Sequence, residues 1–381
     1  MITERRIRAD EIRAHAVRFD QHGAGLTLEG VTIEDALDLS ATKLPALAFI
    51  GCRFEQELIL RGATVEGLFL GGCELAGIDA RDAHLRTDLQ LCAGTRSRGL
   101  IRLEGVRIDG NLSCNGALLE GPGGVALRAD RTVIGRHVIM GSGFHATGGV
   151  LMPHVSIGGL LYCARGRFAN SGGVALSLEG AMIAGNVILS HGFKGLGEVV
   201  LRAAHCNGML YCAHGSFENP GGVALAADGV QIGGRAFLGE WFGAKGAVRL
   251  CDAQIGGDLH CVGGLFQNPG GVALAGERLT VRGNVRMHTR FLAQGMVRLD
   301  GSRIGGSLNC SGGQFDHRGA VALSAAGITV GRDVVLGSGF RADGAVRLNH
   351  ARIDGTLDTE YAECDDLAIE DVQAGSSSHS R

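Results

Sequence analysis

The sequence predicts an all-β fold: a single parallel β-helix, or β-solenoid, of about 24–25 residues per coil with a short N-terminal capping helix. Three observations carry that expectation. The first is recurrence without drift. YCARGRF (162–168) returns as YCAHGSF (211–217) and HCVGGLF (260–266), each 49 residues after the last. The second is a phenylalanine series, Phe144, Phe168, Phe193, Phe217, Phe242, Phe266, Phe291, Phe315 and Phe340, whose spacing alternates between 24 and 25. The third is local. Short segments alternate apolar and polar residues and are separated by glycine, of which the chain has 64 against 5 prolines. Period-two alternation in runs this short marks strands rather than helices. Such units bury a core only by stacking on their neighbours.

The elements follow in order. Residues 1–23 form the cap, with a helix over 3–20 that places Ala9, Ile12, Ala16 and Phe19 on one face. An end cap is expected because a solenoid end exposes unpaired strand edges. Residues 24–98 step in fives, as in LRGAT VEGLF LGGCE LAGID ARDAH LRTDL (60–89), and resemble pentapeptide-repeat solenoids with square coils. Residues 99–360 hold about eleven regular coils with three or four sides. In VRLCDAQIGGDLHCVGGLF (248–266), Val248, Leu250, Ala253, Ile255, Leu259 and Cys261 point inward, and Phe266 closes the coil. Residues 361–381 are expected to be a degenerate last coil and a partly disordered tail. A right-handed coil is expected from its length.

Three stretches carry a family resemblance: GGVALSLEGAMIAGNVIL (172–189), GAVRLCDAQIGGDLHC (246–261) and LDLSATKLPALAFIGCRFEQELILRGATVEGL (37–68). They resemble actinobacterial glycine-rich repeat proteins often labelled "membrane-associated oxidoreductase". The resemblance covers about residues 24–360 and lies in core and turn positions. Its label implies a membrane segment and a redox reaction, and it assigns no catalytic residue.

Composition narrows the function. A net charge of −3 implies no nucleic-acid surface. No run of about 18 apolar residues occurs. The expected location is cytoplasmic, or peripheral to a membrane through the Arg-rich N-terminal helix. The eleven cysteines are expected to be reduced. Cys114, Cys163, Cys212, Cys261 and Cys310 share a column with Met140, Leu189, Leu238, Met287, Leu336 and Thr359, the pattern of a buried position. At about 9.6 Å apart they are too distant for disulfides or one zinc ion. GPGGVA (121–126) is the nearest match to a dinucleotide fingerprint, and it leads into a strand. Asp130, Glu179, Asp228 and Glu277 sit about 10 Å apart at a corner, beyond an inverting glycosidase pair. The histidines fall on several faces. No catalytic residue, metal site or cofactor is assigned.

One outward column stands out. If Leu161 and Cys163 point inward, Tyr162 points out, and its column reads Ile139, Tyr162, Ile188, Tyr211, Phe237 and His260, with the only tryptophan, Trp241, near in sequence. A second outward column is expected at Ala126, Leu151, Ala175, Val200, Ala224, Arg249, Ala273, Arg298, Ala322 and Arg347, turning basic toward the C-terminus. The expected function is a non-enzymatic scaffold that presents the apolar-aromatic face to a protein partner or its own copy. The alternatives are the oxidoreductase of the resembled family's label or a carbohydrate-active β-helix.

Overall fold

A computed structural model describes residues 5–19, 25–337 and 339–378. The chain is an all-β parallel β-solenoid of about 16 turns. It divides into two compact units, residues 1–185 and 186–381.

The first unit opens with a strand, Arg5–Ile7, which pairs in parallel with Val31–Ile33. The helix begins only at Ala9 and runs to Phe19. This corrects the expected helix over 3–20, of which residues 3, 4 and 20 lie outside the described residues. The physical reason is the open edge of Val31–Ile33, whose backbone groups are satisfied by an added strand. Asp10 and Glu11 then occupy the first helical turn, where negative charge suits the helix dipole. Ala9 and Ile12 are buried, and the helix packs on the strands Leu37–Asp38 and Lys43–Leu44. The side chains of Ala16 and Phe19 lie outside the described residues.

The early coils have four sides. One coil runs through Leu47–Ile50, Arg53–Phe54, Leu58–Ile59 and Thr64–Val65. Leu26, Leu47, Leu68 and Leu89 lie in register, one per coil at a constant step. Asp79 is a fully buried carboxylate here, clamped by Arg61 at 2.6 Å and Arg81 at 2.7 Å. The shape of the coil changes at Leu118–Arg128. This 11-residue strand pairs with both Arg96–Ser97 and Ile101–Arg102, so two sides fuse into one. From there a longer coil step alternates with a shorter one, as in the register Ser113, Ile139, Tyr162.

The second unit keeps this three-sided plan. Its long side alternates between 11 residues, as in Ser216–Ala226, and 7, as in Gly243–Arg249. The additional residues form a bulge. Asn219 Nδ2 donates to the Val223 carbonyl at 2.9 Å, and Asn268 repeats this with Val272 at 2.9 Å. Gly221 closes the bulge at φ 76°, a left-handed conformation that glycine adopts without steric cost. The neighbouring 7-residue strand receives the bulge at Gly246. A Cβ there would lie 2.5 Å from the Asn219 carbonyl oxygen, and its φ is 118°.

The bulge also corrects the second outward column. Ala126, Ala175, Ala224, Ala273 and Ala322 are all fully buried, and Val200, on a strand without a bulge, is buried as well. Counting in twos across a bulge slips by one residue and exchanges the faces. Arg249 is in register with Ala226 and Ala275, and Arg298 with Ala275 and Ser324. Arginine therefore alternates with small residues. Residues of the last coil carry two strands, Glu363–Ala368 and Gln373–Ser378, which pair with Arg341–Arg347 and Arg352–Asp358.

The core is a file of phenylalanines. In the second unit, centroid distances run 5.1 Å for Phe193–Phe217, 5.2 Å for Phe217–Phe242, 5.1 Å for Phe242–Phe266 and 5.4 Å for Phe266–Phe291. The rings are tilted by 40° in Phe193–Phe217, which avoids an unfavourable face-to-face sandwich.

Gly246→Ala is expected to lower stability by about 1–3 kcal/mol, combining backbone strain with a steric clash. Gly243→Ala, where a Cβ meets nothing within 4 Å, is expected to be neutral. Urea denaturation of the two variants checks the contrast.

Candidate binding face

The site grows from the short strand Leu210–Tyr211. Leu210 and Cys212 point into the core and are buried, so Tyr211 between them points out. The same logic orients every member of its column. Ile188 registers with Tyr211, Tyr211 with Phe237, and Phe237 with His260, after which the column turns polar at Arg286 and Asn309. Ring centroids are 5.3 Å apart for Tyr211–Phe237 and 5.5 Å for Phe237–His260. Each side chain is half-buried, because its neighbours one coil up and down cover its flanks.

The first unit brings Ile139 and Tyr162 into one register of its own, also half-buried. Trp241 does not join the column. It stands on the adjoining corner of the second unit and is 73% exposed.

Two histidines that look scattered in the sequence come together beside the column, with His191 against Tyr211. His191 lies 5.9 Å from the Tyr211 ring and 6.0 Å from His214. The signal was the coil step itself, since positions 191 and 214 are one short step apart, like 188 and 211. Burial pushes the His260 imidazole below its ordinary range, and its Nδ1 is enclosed with no hydrogen-bond partner among the described residues. Burial, the charge of Glu240 and a hydrogen bond with that carboxylate push the Tyr211 phenol up.

The cysteine column is chemically quiet. Cys114, Cys163, Cys212, Cys261 and Cys310 are all fully buried. Burial pushes every one of these thiols up, Cys114 to about 12. A nucleophilic or metal-binding cysteine needs the opposite shift. Cys251 occupies a corner instead. Burial and a 2.9 Å hydrogen bond to Glu277 push it up to about 12. Cys52 and Cys73 share a hydrogen bond, and that bond and burial push Cys73 up.

The corner carboxylates are closer together than their recurrence in alternate coils implies. Backbone bonds from Gly105 to Asp130 and from Arg278 to Asp300 place Glu104 one coil from Asp130, and Glu277 one coil from Asp300. In the second unit these groups are engaged. Asp228 meets Arg249 at 3.1 Å, Glu277 meets Arg298 at 2.9 Å, and Asp300 accepts from Ser324 Oγ at 2.6 Å. GPGGVA lies within the strand Leu118–Arg128. No group of three or more His, Cys, Asp or Glu suited to a metal occurs among the described residues.

Comparison with protein-family models, curated proteins and solved structures finds no match.

The Tyr211 shift has a definite sign. A phenol raised above its unfolded value contributes stability in full below the ordinary value near 10. That contribution is lost as pH rises through the folded value. In a chain carrying Tyr162→Phe and Tyr361→Phe, alkaline absorbance titration is expected to place Tyr211 above ordinary tyrosine. Glu240→Gln is expected to move it back down.

Proposed function

We propose that this chain is a non-enzymatic binding solenoid, and that its second unit presents Ile188, Tyr211, Phe237 and His260, with Trp241 beside them, to a protein partner. The observation that supports this reading is the file of contacting outward rings. Aromatic residues are enriched at the centres of protein interfaces. Here they are already held by neighbouring coils, so docking would cost them little further side-chain entropy.

Other features of the second unit fit a binding role better than a reaction. The buried thiols have their reactive form suppressed, and Asp228, Glu277 and Asp300 are tied to Arg or Ser partners. No helix among the described residues is long and apolar enough to cross a membrane. The buried faces of Ala9 and Ile12 are already used by the first unit.

Tyr211→Asp tests the reading, because it places charge in the face without entering the core. Stability is expected to fall by about 1–3 kcal/mol with a single cooperative melt retained. The set of proteins cross-linked to the chain is expected to lose its main member. If the partner is a second copy, the mass by light scattering falls to that of one chain. An unchanged mass together with an unchanged cross-linked set rejects the proposal.

A further inference from the structure

The turn that precedes the inward phenylalanine recurs in alternate coils. Its last residue is Gly143 in the first unit, and Gly192 and Gly339 in the second, with φ of 78°, 90° and 78°. In the two remaining copies the same position is Trp241, at φ 66°, and Arg290, at φ 62°. The residues before them, Glu240 and Thr289, are left-handed as well, at 48° and 37°. Large side chains seldom adopt this conformation. The glycine copies show that the turn does not require them. Left-handed corners with large side chains recur along the described chain, as at Arg165 and Arg278, and here the conformation fixes where the two side chains leave the backbone.

Trp241 and Arg290 face one opening. Trp241 N donates to the Gly263 carbonyl at 3.2 Å, and Gly263 N donates to the Thr289 carbonyl at 3.1 Å. Their backbone positions are therefore two coils apart, about 9.6 Å. Gly263, at φ 68°, occupies the intermediate coil at this corner and carries no side chain. The result is a cleft of about 640 Å³ whose apolar walls include Trp241, Val262, Leu265 and Leu292. That size is typical of small-molecule sites. Arg290 is exposed, and no ion pair or hydrogen bond engages its guanidinium among the described residues. Glu240 and His214 also line the cleft, and Glu240 brings negative charge to it.

We propose that this cleft binds a small aromatic carboxylate, with its ring over Gly263 against Trp241 and its carboxylate paired with Arg290. An indole face and aliphatic walls favour a flat ring. A free guanidinium selects a carboxylate by forked hydrogen bonds and repels an amine. The cleft borders the proposed partner-binding face and shares Trp241 with it, while the ring column itself lies outside the cleft.

Trp241 is the only tryptophan, so its emission reports on the cleft directly. The full purified chain is titrated with phenylacetate, benzyl alcohol, benzylamine and acetate. Phenylacetate is expected to give a saturable change in emission, and the other three to bind at least about tenfold more weakly. Arg290→Gly installs the residue found at this turn in three other copies, so the fold tolerates it. It is expected to weaken phenylacetate binding by about tenfold or more with melting unchanged. No saturable response to phenylacetate, an equal response to benzyl alcohol, or an unaltered affinity in Arg290→Gly overturns the proposal. No protein partner enters the measurement, so its failure leaves the reading of the ring column standing.

Discussion

The backbone ladder between coils is the constraint from which the rest follows. Each coil hydrogen-bonds to the next in parallel, as when Cys212 N donates to the Phe237 carbonyl at 2.9 Å. Parallel pairing at about 4.8 Å places each residue over its equivalent in the neighbouring coil. Side chains are thus selected as columns rather than as individuals. Inside, the column favours rings that tilt against one another, and Phe217, Phe242 and Phe266 do so at 5.1–5.2 Å. Outside, the same spacing brings Tyr211, Phe237 and His260 into a second ring file. The sealed file holds the coil together, and the half-open one gives the unit its most distinctive surface.

Columns also explain why chemistry is scarce in the interior. An inward position accepts Cys, Met or Leu because each fits beneath its neighbours, and burial then suppresses the thiolate of Cys212 and Cys261. Reactive or recognising groups are left to corners, where a side chain escapes the stack. Trp241, Arg290, Glu240 and His214 are all corner residues with left-handed backbone.

Much of this was legible in the sequence, and the rest was hidden for identifiable reasons. The inward columns and the Tyr211 column survive because the long and short coil steps alternate regularly. The alanines of GGVAL were misplaced because period-two counting fails across a bulge, and nothing in Ala224 itself signals its burial. The strand Arg5–Ile7 looked helical because RRI is too short to display a period, and only the edge it covers decides its form. Trp241 and Arg290 fall one 49-residue repeat apart, but the repeat alone does not show that both side chains leave the stack at a corner. Nor does a tryptophan or an arginine announce that it stands where glycine is the usual residue.

The bulge and its receiving glycine set a rule for how such a chain changes length. The long strand Ser216–Ala226 carries the protrusion, and Gly243–Arg249 carries the gap that accepts it. Loss of one coil would lay protrusion against protrusion, with no glycine facing the Asn219 carbonyl. Loss of two coils leaves every protrusion matched. The smallest heritable increment is therefore a pair of coils, one long step and one short, and growth by duplication in that quantum preserves the alternation seen from Leu118 onward.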